Sequence, residues 1–590
     1  MSKDMKKQTC KEHDKLLRKS VALTIEKLLG KSVYLLILTL AALIAWQVSG
    51  RIFAFTSYAQ DISESGKKSA GFRFNMSYIH FSNKNEFLEY VNNTKDSLNE
   101  VAPNYFYVDR LGNLQISHTI DKKFIEEMHS RGIKVVPYLS NDWDRNAGRL
   151  ALRKRHKLAE DIAEAVEKYN LDGVNVDLEN LTEEDKDRYT DFVRLLRRKL
   201  PAGKTVAVAV ASNPKSVTTG WHGSYDYEGL ARYCDYLMLM AYDEHYGGGP
   251  AGPVASINFV EKSIEYALKY VPKEKLVLGI PFYGRIWRVG GGISGRGVSL
   301  RQVQSLISTY GGKVTFNKVY LSPKATISIK PSDPKPSIYG VQLQAGTYTI
   351  WFENEESIKY KLRLVEKYDL RGTGSWSLGQ ETSSVWNYYS LWLNGHYYED
   401  LEGHWATNPI IYSLNKGLIT TKEVKEKSIF APDQPLTRAE AAYALVRALN
   451  LEKDRRSNNK VTFTDIADHW AKDEIEIAAQ HGIITGRKDG TFAPNDPVSR
   501  EEMSVMLDRL FSINHRNNIL ASRSNSMVSA SGMDISYKDV NRDLCSWSYD
   551  SIIRVSQQGI ITGTPDGYFK PKDKITRAEA AVMLYRLLEE

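Results

Sequence analysis

The sequence predicts an α/β protein: a (β/α)8 TIM barrel with a small α+β insertion between strands seven and eight, followed by a mainly α-helical repeat module. Three observations support this. Between about residues 70 and 395, short apolar runs alternate with amphipathic stretches, as parallel strands joined by helices require. Eight such runs fall at 72–81, 105–108, 134–139, 173–178, 205–211, 236–241, 276–282 and 374–378, which suits a closed barrel. From about residue 397 a threefold repeat replaces that pattern.

A chain of 590 residues is too long for one hydrophobic core, so several domains are expected. With 42% hydrophobic and 25% charged residues, a largely disordered, collagen-like or polytopic membrane protein is excluded. Net charge is +8, but residues 1–50 hold nine Lys/Arg against four Asp/Glu, which is +5 and leaves +3 for the other 540. No nucleic-acid partner is expected from so weak a field. Cys10, Cys234 and Cys545 are odd in number and far apart, which suits neither a disulfide framework nor a Cys-x-x-Cys metal site. The sequence shows no metal-ligand cluster, phosphate loop or nucleotide fingerprint, so neither metal nor cofactor is expected.

Residues 1–60 form a basic N-terminus around the uncharged run from Val33 to Val48, flanked by Lys31 and Arg51. This is an export signal. Its sixteen residues fall short of the roughly 20 that a spanning helix needs, yet the preceding basic segment is longer than most signal peptides carry. Ser57-Tyr58-Ala59 offers a cleavage site. A cleaved signal and a retained membrane anchor both fit, and either puts the remainder outside the cytoplasm.

Within the barrel region, 70–395, the segment Leu171-Asp-Gly-Val-Asn-Val-Asp-Leu-Glu-Asn180 is the most informative. Period two sends Asn175, Asp177 and Glu179 to one face and Val174, Val176 and Leu178 to the other. An Asn-Asp-Glu column at the carboxyl end of a barrel strand is costly as a core feature, because buried charges need partners or a task. Carboxylates on alternate strand residues lie about 6 to 7 Å apart, close enough for Asp177 to keep Glu179 protonated as a proton donor. The competing reading is a salt bridge at a strand end. The long interval between strands seven and eight, with the β-prone piece 346–352, predicts a lobe walling one side of the cleft.

The repeats occupy 397–452, 461–513 and 535–590, with a Ser/Asn-rich linker at 514–532. Unit one carries Asp400, Trp405, Gly417-Leu418-Ile419 and Thr437-Arg438-Ala439-Glu440; unit two Asp465, Trp470, Gly482-Ile-Ile-Thr-Gly486 and Ser499-Arg500-Glu501-Glu502; unit three Asp539, Trp547, Gly559-Ile-Ile-Thr-Gly563 and Thr576-Arg577-Ala578-Glu579. Spacings from Trp to Arg are 33, 30 and 30 residues. Unit one departs most, with Thr420-Thr421 in place of Thr-Gly and no Asp-Gly turn.

The segment from Asp172 to Glu179 resembles the DGxxxDxE signature of glycoside hydrolase family 18, the chitinase-like barrels. Met240-Ala-Tyr-Asp243, with Glu244 and His245 after it, resembles that family's sixth-strand motif. The segments 275–285 and 372–381 resemble its strands seven and eight. Among its branches the chain looks closest to that of spore-cortex and peptidoglycan N-acetylglucosaminidases. The resemblance implies retaining hydrolysis at N-acetylglucosamine, with the substrate's acetamido oxygen as nucleophile. In that scheme Glu179 is the acid and base, Asp177 orients the acetamido group and Tyr242 bonds its carbonyl. Asn175, Met240 and Asp243 line the subsite, and Trp376 floors it. The family's commoner pattern has Asp where this chain has Asn175, which cannot exchange a proton with Asp177, so an altered pH profile is expected. Tyr283 and Arg285 are assigned no role, since bracing the end of strand seven accounts for them equally well.

The repeats resemble S-layer homology (SLH) domains. That resemblance implies a secondary cell-wall polymer as partner, bound through Trp405, Trp470 and Trp547 and through Arg438, Arg500 and Arg577. A helix-start salt bridge with a nearby Glu is the competing reading for each Arg. The weakest ligand site is expected in unit one. The chain is therefore expected to be an exported, wall-held hydrolase of peptidoglycan-type glycan. Chitin is the alternative substrate, and an inactive carbohydrate-binding surface protein the alternative class.

Overall fold

The computed structural model describes residues 72–80, 83–424, 427–453, 461–517 and 535–588. The apolar run 33–48, the cleavage site 57–59 and most of the predicted linker 514–532 lie outside the described residues. The helix Arg500–Asn517 runs into the start of that linker.

Eight parallel strands form the barrel: β1 (Phe74–Ile79), β2 (Glu100–Pro103), β3 (Lys134–Val135, resuming as Tyr138–Ser140), β4 (Gly173–Asp177), β5 (Thr205–Ala211), β6 (Tyr236–Met240), β7 (Leu276–Pro281) and β8 (Gly372–Trp376). β8 pairs with β1 at Gly372↔Phe74, β1 with β2 at Met76↔Glu100, and β2 with β3 at Glu100↔Lys134. The resumed part of β3 pairs with β4 at Tyr138↔Asn175. Between its two parts stands Pro137, which lacks an N–H. Its carbonyl still accepts from the Asn175 N–H at 2.9 Å, so the ring of strands closes.

Strand periodicity sorts the side chains into two layers. Val174, Val176 and Leu178 pack outward against helix residues such as Ile162, Tyr189 and Leu196. Met76, Tyr78, Tyr138, Tyr236 and Met238 fill the interior. Several strand ends differ from the sequence reading: the first strand spans 74–79 and not 72–81, and two other strands differ for a visible reason. The second strand begins at Glu100, with Phe106–Val108 as a separate piece, because Glu100 and Pro103 disguise it. Burial of Glu100 is made tolerable by a hydrogen bond from the Tyr236 hydroxyl. The eighth strand starts at Gly372, two residues before the predicted 374, where glycines hide the apolar pattern.

The insertion after β7 is a five-stranded antiparallel sheet in the order Arg296–Ser299, Tyr283–Arg288, Gly346–Trp351, Ser322–Ile329, Lys313–Asn317, with the helix Leu300–Thr309. The helix Glu355–Lys367 returns the chain to β8.

The repeats close around a common centre. The Leu436 N–H donates to the Ile575 carbonyl (2.9 Å), Ile575 to Val498 (3.1 Å) and Val498 to Leu436 (2.9 Å), one strand bond per repeat. The helix Tyr389–Leu393 joins them to the barrel, with Leu391 in the repeats' apolar core. Asn408 Nδ2 donates to the carbonyls of Lys95 (3.2 Å) and Asp96 (3.1 Å), the Gly403 N–H donates to Asn387 (2.9 Å), and Lys359 bonds Glu402 at 2.7 Å.

Candidate active site

A cavity of about 920 Å³ opens at the carboxyl ends of the strands, and Asp177 and Glu179 both line it. Asp177 is the last residue of β4, and Glu179 lies two residues beyond. Asn141, after β3, holds Glu179 by the backbone: its Oδ1 accepts from the Glu179 N–H at 2.8 Å and its Nδ2 donates to the Glu179 carbonyl at 2.9 Å. Asn180 then turns away in the left-handed region, at φ 58°. Among the described residues no cation pairs with the Glu179 carboxyl, which disposes of the strand-end salt bridge. Burial, then the charges of Asp177 and Asp243, push Glu179 well above the usual carboxylate range. Burial raises Asp177 as well. Two such carboxyls resist ionising together, so the pair holds a proton more tightly than a lone carboxylate would.

Met240, Tyr242, Asp243 and Trp376 also line the cavity. Tyr242 fits because position 279 on β7 is glycine: a Cβ there would stand 2.5 Å from the Leu239 carbonyl oxygen and 2.9 Å from the Tyr242 ring. Trp376 rests on Tyr78 at 5.2 Å and Tyr138 at 6.0 Å between centroids. Asp243 receives two bonds from Arg285, at 2.8 and 2.6 Å, and one from the Tyr283 hydroxyl at 2.6 Å. Tyr283 and Arg285, left without a role by the sequence, thus belong to the cavity wall and fix Asp243.

Asn175 is the exception. It is fully buried one pleat deeper than Asp177, does not line the cavity, and donates through Nδ2 to the Tyr78 hydroxyl at 3.0 Å. Its Oδ1 and the Asp177 Oδ1 are both buried without a hydrogen-bond partner. Period two put it on the right face, but depth along the strand keeps it from direct contact with anything in the cavity.

Sequence reasoning missed the loops above β3 and β5. Trp143 and Trp221 line the cavity with ring centroids 5.0 Å apart, and Trp143 is 51% exposed. Two tryptophans in polar loops near the ends of strands three and five were the available signal.

In the repeats Trp405, Trp470 and Trp547 are 67%, 55% and 55% exposed. The arginines are placed otherwise than expected. Arg577 is fully buried, stacked 4.8 Å from the Phe430 ring and bonded to the carbonyls of Phe430 (2.9 Å) and Thr420 and to Glu440. Arg438 repeats this against Phe492, Thr485 and Glu502, and Arg500 against Phe569, Thr562 and Glu579. Each guanidinium is thus taken up by another repeat, and the acidic partner is not the Glu of its own helix. In repeats two and three Gly486 and Gly563 lie against the rings of Phe463 and Tyr537. Repeat one instead has Thr421 and a short hairpin, Lys422–Val424 with Lys427–Ile429.

A closed barrel with paired carboxyls and aromatic rings at its mouth fits a glycosidase. Residues 53–381 match glycosyl hydrolases family 18, and this chain belongs to that family. Residues 397–442, 462–504 and 536–581 match the S-layer homology domain, which makes the chain a cell-wall-associated glycosidase. Among curated relatives, "Uncharacterized glycosylase YvbX" of Bacillus subtilis is 27% identical over 49% of this chain and 83% of its own length. "Cortical fragment-lytic enzyme" of B. subtilis is 25% identical over 45% of this chain and 61% of its own. The solved structure of the Bacillus cereus spore cortex-lytic enzyme SleL is 21% identical, with TM-score 0.48, over 56% of this chain and 75% of that one.

Proposed function

We propose that this chain hydrolyses N-acetylglucosaminyl linkages in peptidoglycan, with the substrate's acetamido group as nucleophile. The observation that carries this is the Glu179 carboxyl, which lines an open cavity with Asp177 and has no cation against it among the described residues. Glu179 gives its proton to the glycosidic oxygen as the bond to C1 breaks and the acetamido oxygen closes onto C1. Asp177 orients the acetamido N–H and steadies the oxazolinium cation, while Tyr242 donates to the acetamido oxygen and Trp376 packs against the sugar's C–H face. Glu179, now a carboxylate, takes a proton from water, whose oxygen opens the ring at C1 with net retention. Asn175 and Asp243 support this from the second rank: Asn175 sits beneath Asp177, and Asp243 is locked by Arg285.

The exposed Trp405, Trp470 and Trp547 offer stacking faces to a secondary wall polymer, over a frame that Arg438, Arg500 and Arg577 hold together. Such retention raises the local concentration of substrate. An export signal or membrane anchor at 33–48 completes the reading.

Mass spectrometry of fragments from peptidoglycan and from chitin oligomers tests it. Reducing N-acetylglucosamine ends from peptidoglycan, lost in Glu179→Gln, are expected. Equal release by Glu179→Gln and the wild type overturns the mechanism, and cleavage of chitin alone overturns the substrate.

A further inference from the structure

Two arms of the cavity meet at Glu179. Over β6, β7 and β8 stand Tyr242, Asp243, Tyr283, Arg285 and Trp376, the arm that takes the acetamido sugar; over β3 and β5 stand Trp143, Trp221, His222 and Lys215. Since Glu179 protonates the oxygen between two sugars, the leaving sugar lies over the second arm.

The two arms differ in charge. In the first, Arg285 is neutralised by Asp243 at 2.6 Å. In the second, Lys215 is exposed and has no ion-pair partner among the described residues. Its loop is held at both ends. Asn213, buried, spans it, donating from Nδ2 to the Val217 carbonyl and accepting the Val217 N–H at Oδ1, each at 2.8 Å. Ser216 takes φ 55° at the tip, and the Gly220 N–H donates to Glu183 at 2.5 Å. Trp221 is pinned from Nε1 to the Tyr225 hydroxyl at 3.0 Å, which in turn donates to the Leu178 carbonyl at 3.3 Å, one residue from the acid. A lysine is thus carried on a braced loop in the cavity that Trp143, Trp221 and Glu179 also line. Holding a lysine unpaired on a braced turn beside aromatic rings serves no packing purpose that the structure shows.

We propose that Lys215 is a specificity-determining residue: it receives a carboxylate carried by the leaving sugar while the ring of that sugar stacks on Trp143 and Trp221. This rests on the peptidoglycan reading and deepens it. In that polymer every second sugar bears a 3-O-lactyl group, whose carboxylate is either free or extended by a peptide that ends in carboxylates. Chitin offers no such charge. The structure therefore assigns discrimination between acidic and neutral glycans to the β5 loop, apart from the acetamido pocket that both substrates would use.

The test measures binding rather than turnover, in full-length Glu179→Gln protein. Calorimetry compares three tetrasaccharides of equal length: one with free lactyl groups, one with peptide-bearing lactyl groups, and a neutral chitin oligomer. The parent is expected to favour an acidic ligand by about two- to fivefold at low salt, as an exposed pair allows, with the preference fading at about 0.5 M salt. Lys215→Glu should reverse that preference, and Lys215→Arg should retain it. Whichever acidic ligand shows the reversal identifies the carboxylate. An equal loss of affinity for all three ligands in Lys215→Glu, or a preference that the charge reversal leaves in place, overturns the proposal. The wild-type digest fails or succeeds separately: a chain that cuts only chitin yet shows the reversed preference refutes the substrate and leaves the role of Lys215 standing.

Discussion

Replacing Arg577 with Met removes a fully buried cation and keeps a side chain of similar reach. Three groups then lose a partner: Glu440, whose side chain is 9% exposed and keeps the Thr437 N–H, and the carbonyls of Phe430 and Thr420. Breaking a buried pair from one side costs about 3 to 5 kcal/mol, and each of the two orphaned carbonyls adds about 1 kcal/mol, so a loss of about 5 to 7 kcal/mol is expected. Lys422, 3.6 Å from Glu440, recovers little of it. Arg500→Met is the control, because Arg500 lies 3.6 Å from a Glu579 that is 35% exposed. It should cost about 2 kcal/mol, mostly from its two carbonyl bonds. A multi-domain chain does not unfold in one step, so the assay is limited proteolysis of full-length protein across a urea series, with cleavage sites mapped by mass spectrometry and the barrel as internal reference. Repeat cleavage should begin at clearly lower urea in Arg577→Met than in Arg500→Met. Coincident onsets would falsify the ranking and, with it, the idea that burial of the pair sets its worth.

Two further outcomes follow from the titrating groups. Glu179 must carry its proton to act, so activity should fall as pH rises through its elevated pKa; in Asp177→Asn, which removes a neighbouring negative charge, the residual activity should lose its alkaline limb at lower pH than wild type. A pH–rate profile that keeps its alkaline limb in place would show that Asp177 does not hold the proton on Glu179. Burial pushes Glu100 up to about 8 from an ordinary 4.5, so the folded state binds its proton more tightly than the unfolded chain does. The stability it contributes is complete below about pH 4.5 and is lost as pH rises through about 8, a change on the order of a few kcal/mol; Glu100→Gln should flatten the barrel's Tm across that window, and an unchanged slope refutes the assignment.

The catalytic end of the barrel was legible because it breaks the rules of a core. Acidic residues on one face of a strand, in the segment from Asn175 to Glu179, cannot be explained by packing alone, and the fold confirms that Asp177 and Glu179 share a cavity. Parity along a strand says which face a side chain takes but not how deep it lies, which is why Asn175 is buried beneath the cavity and does not line it. The partners of the arginines were hidden for a different reason. Thr437 and Glu440 form a capping box, a local pattern that sequence shows, whereas the bond from Arg577 to Glu440 joins residues 137 apart. Tyr283 and Arg285 were visible in the strand-seven motif, but their target, Asp243, sits on another strand's loop. Asn141 could not be recognised from sequence, since it acts only on the backbone of a residue 38 positions away.

The helix Tyr389–Leu393, with Leu391 sunk in the repeats and Asn408 gripping the turn at Lys95 and Asp96, removes the slack found in enzymes tethered by floppy leashes. If the repeats are the mooring, a barrel so bracketed reaches a narrower stretch of wall than one on a flexible tether. On the proposed reading, the geometry of that mounting, together with the chemistry at Glu179, bears on where the polymer is cut.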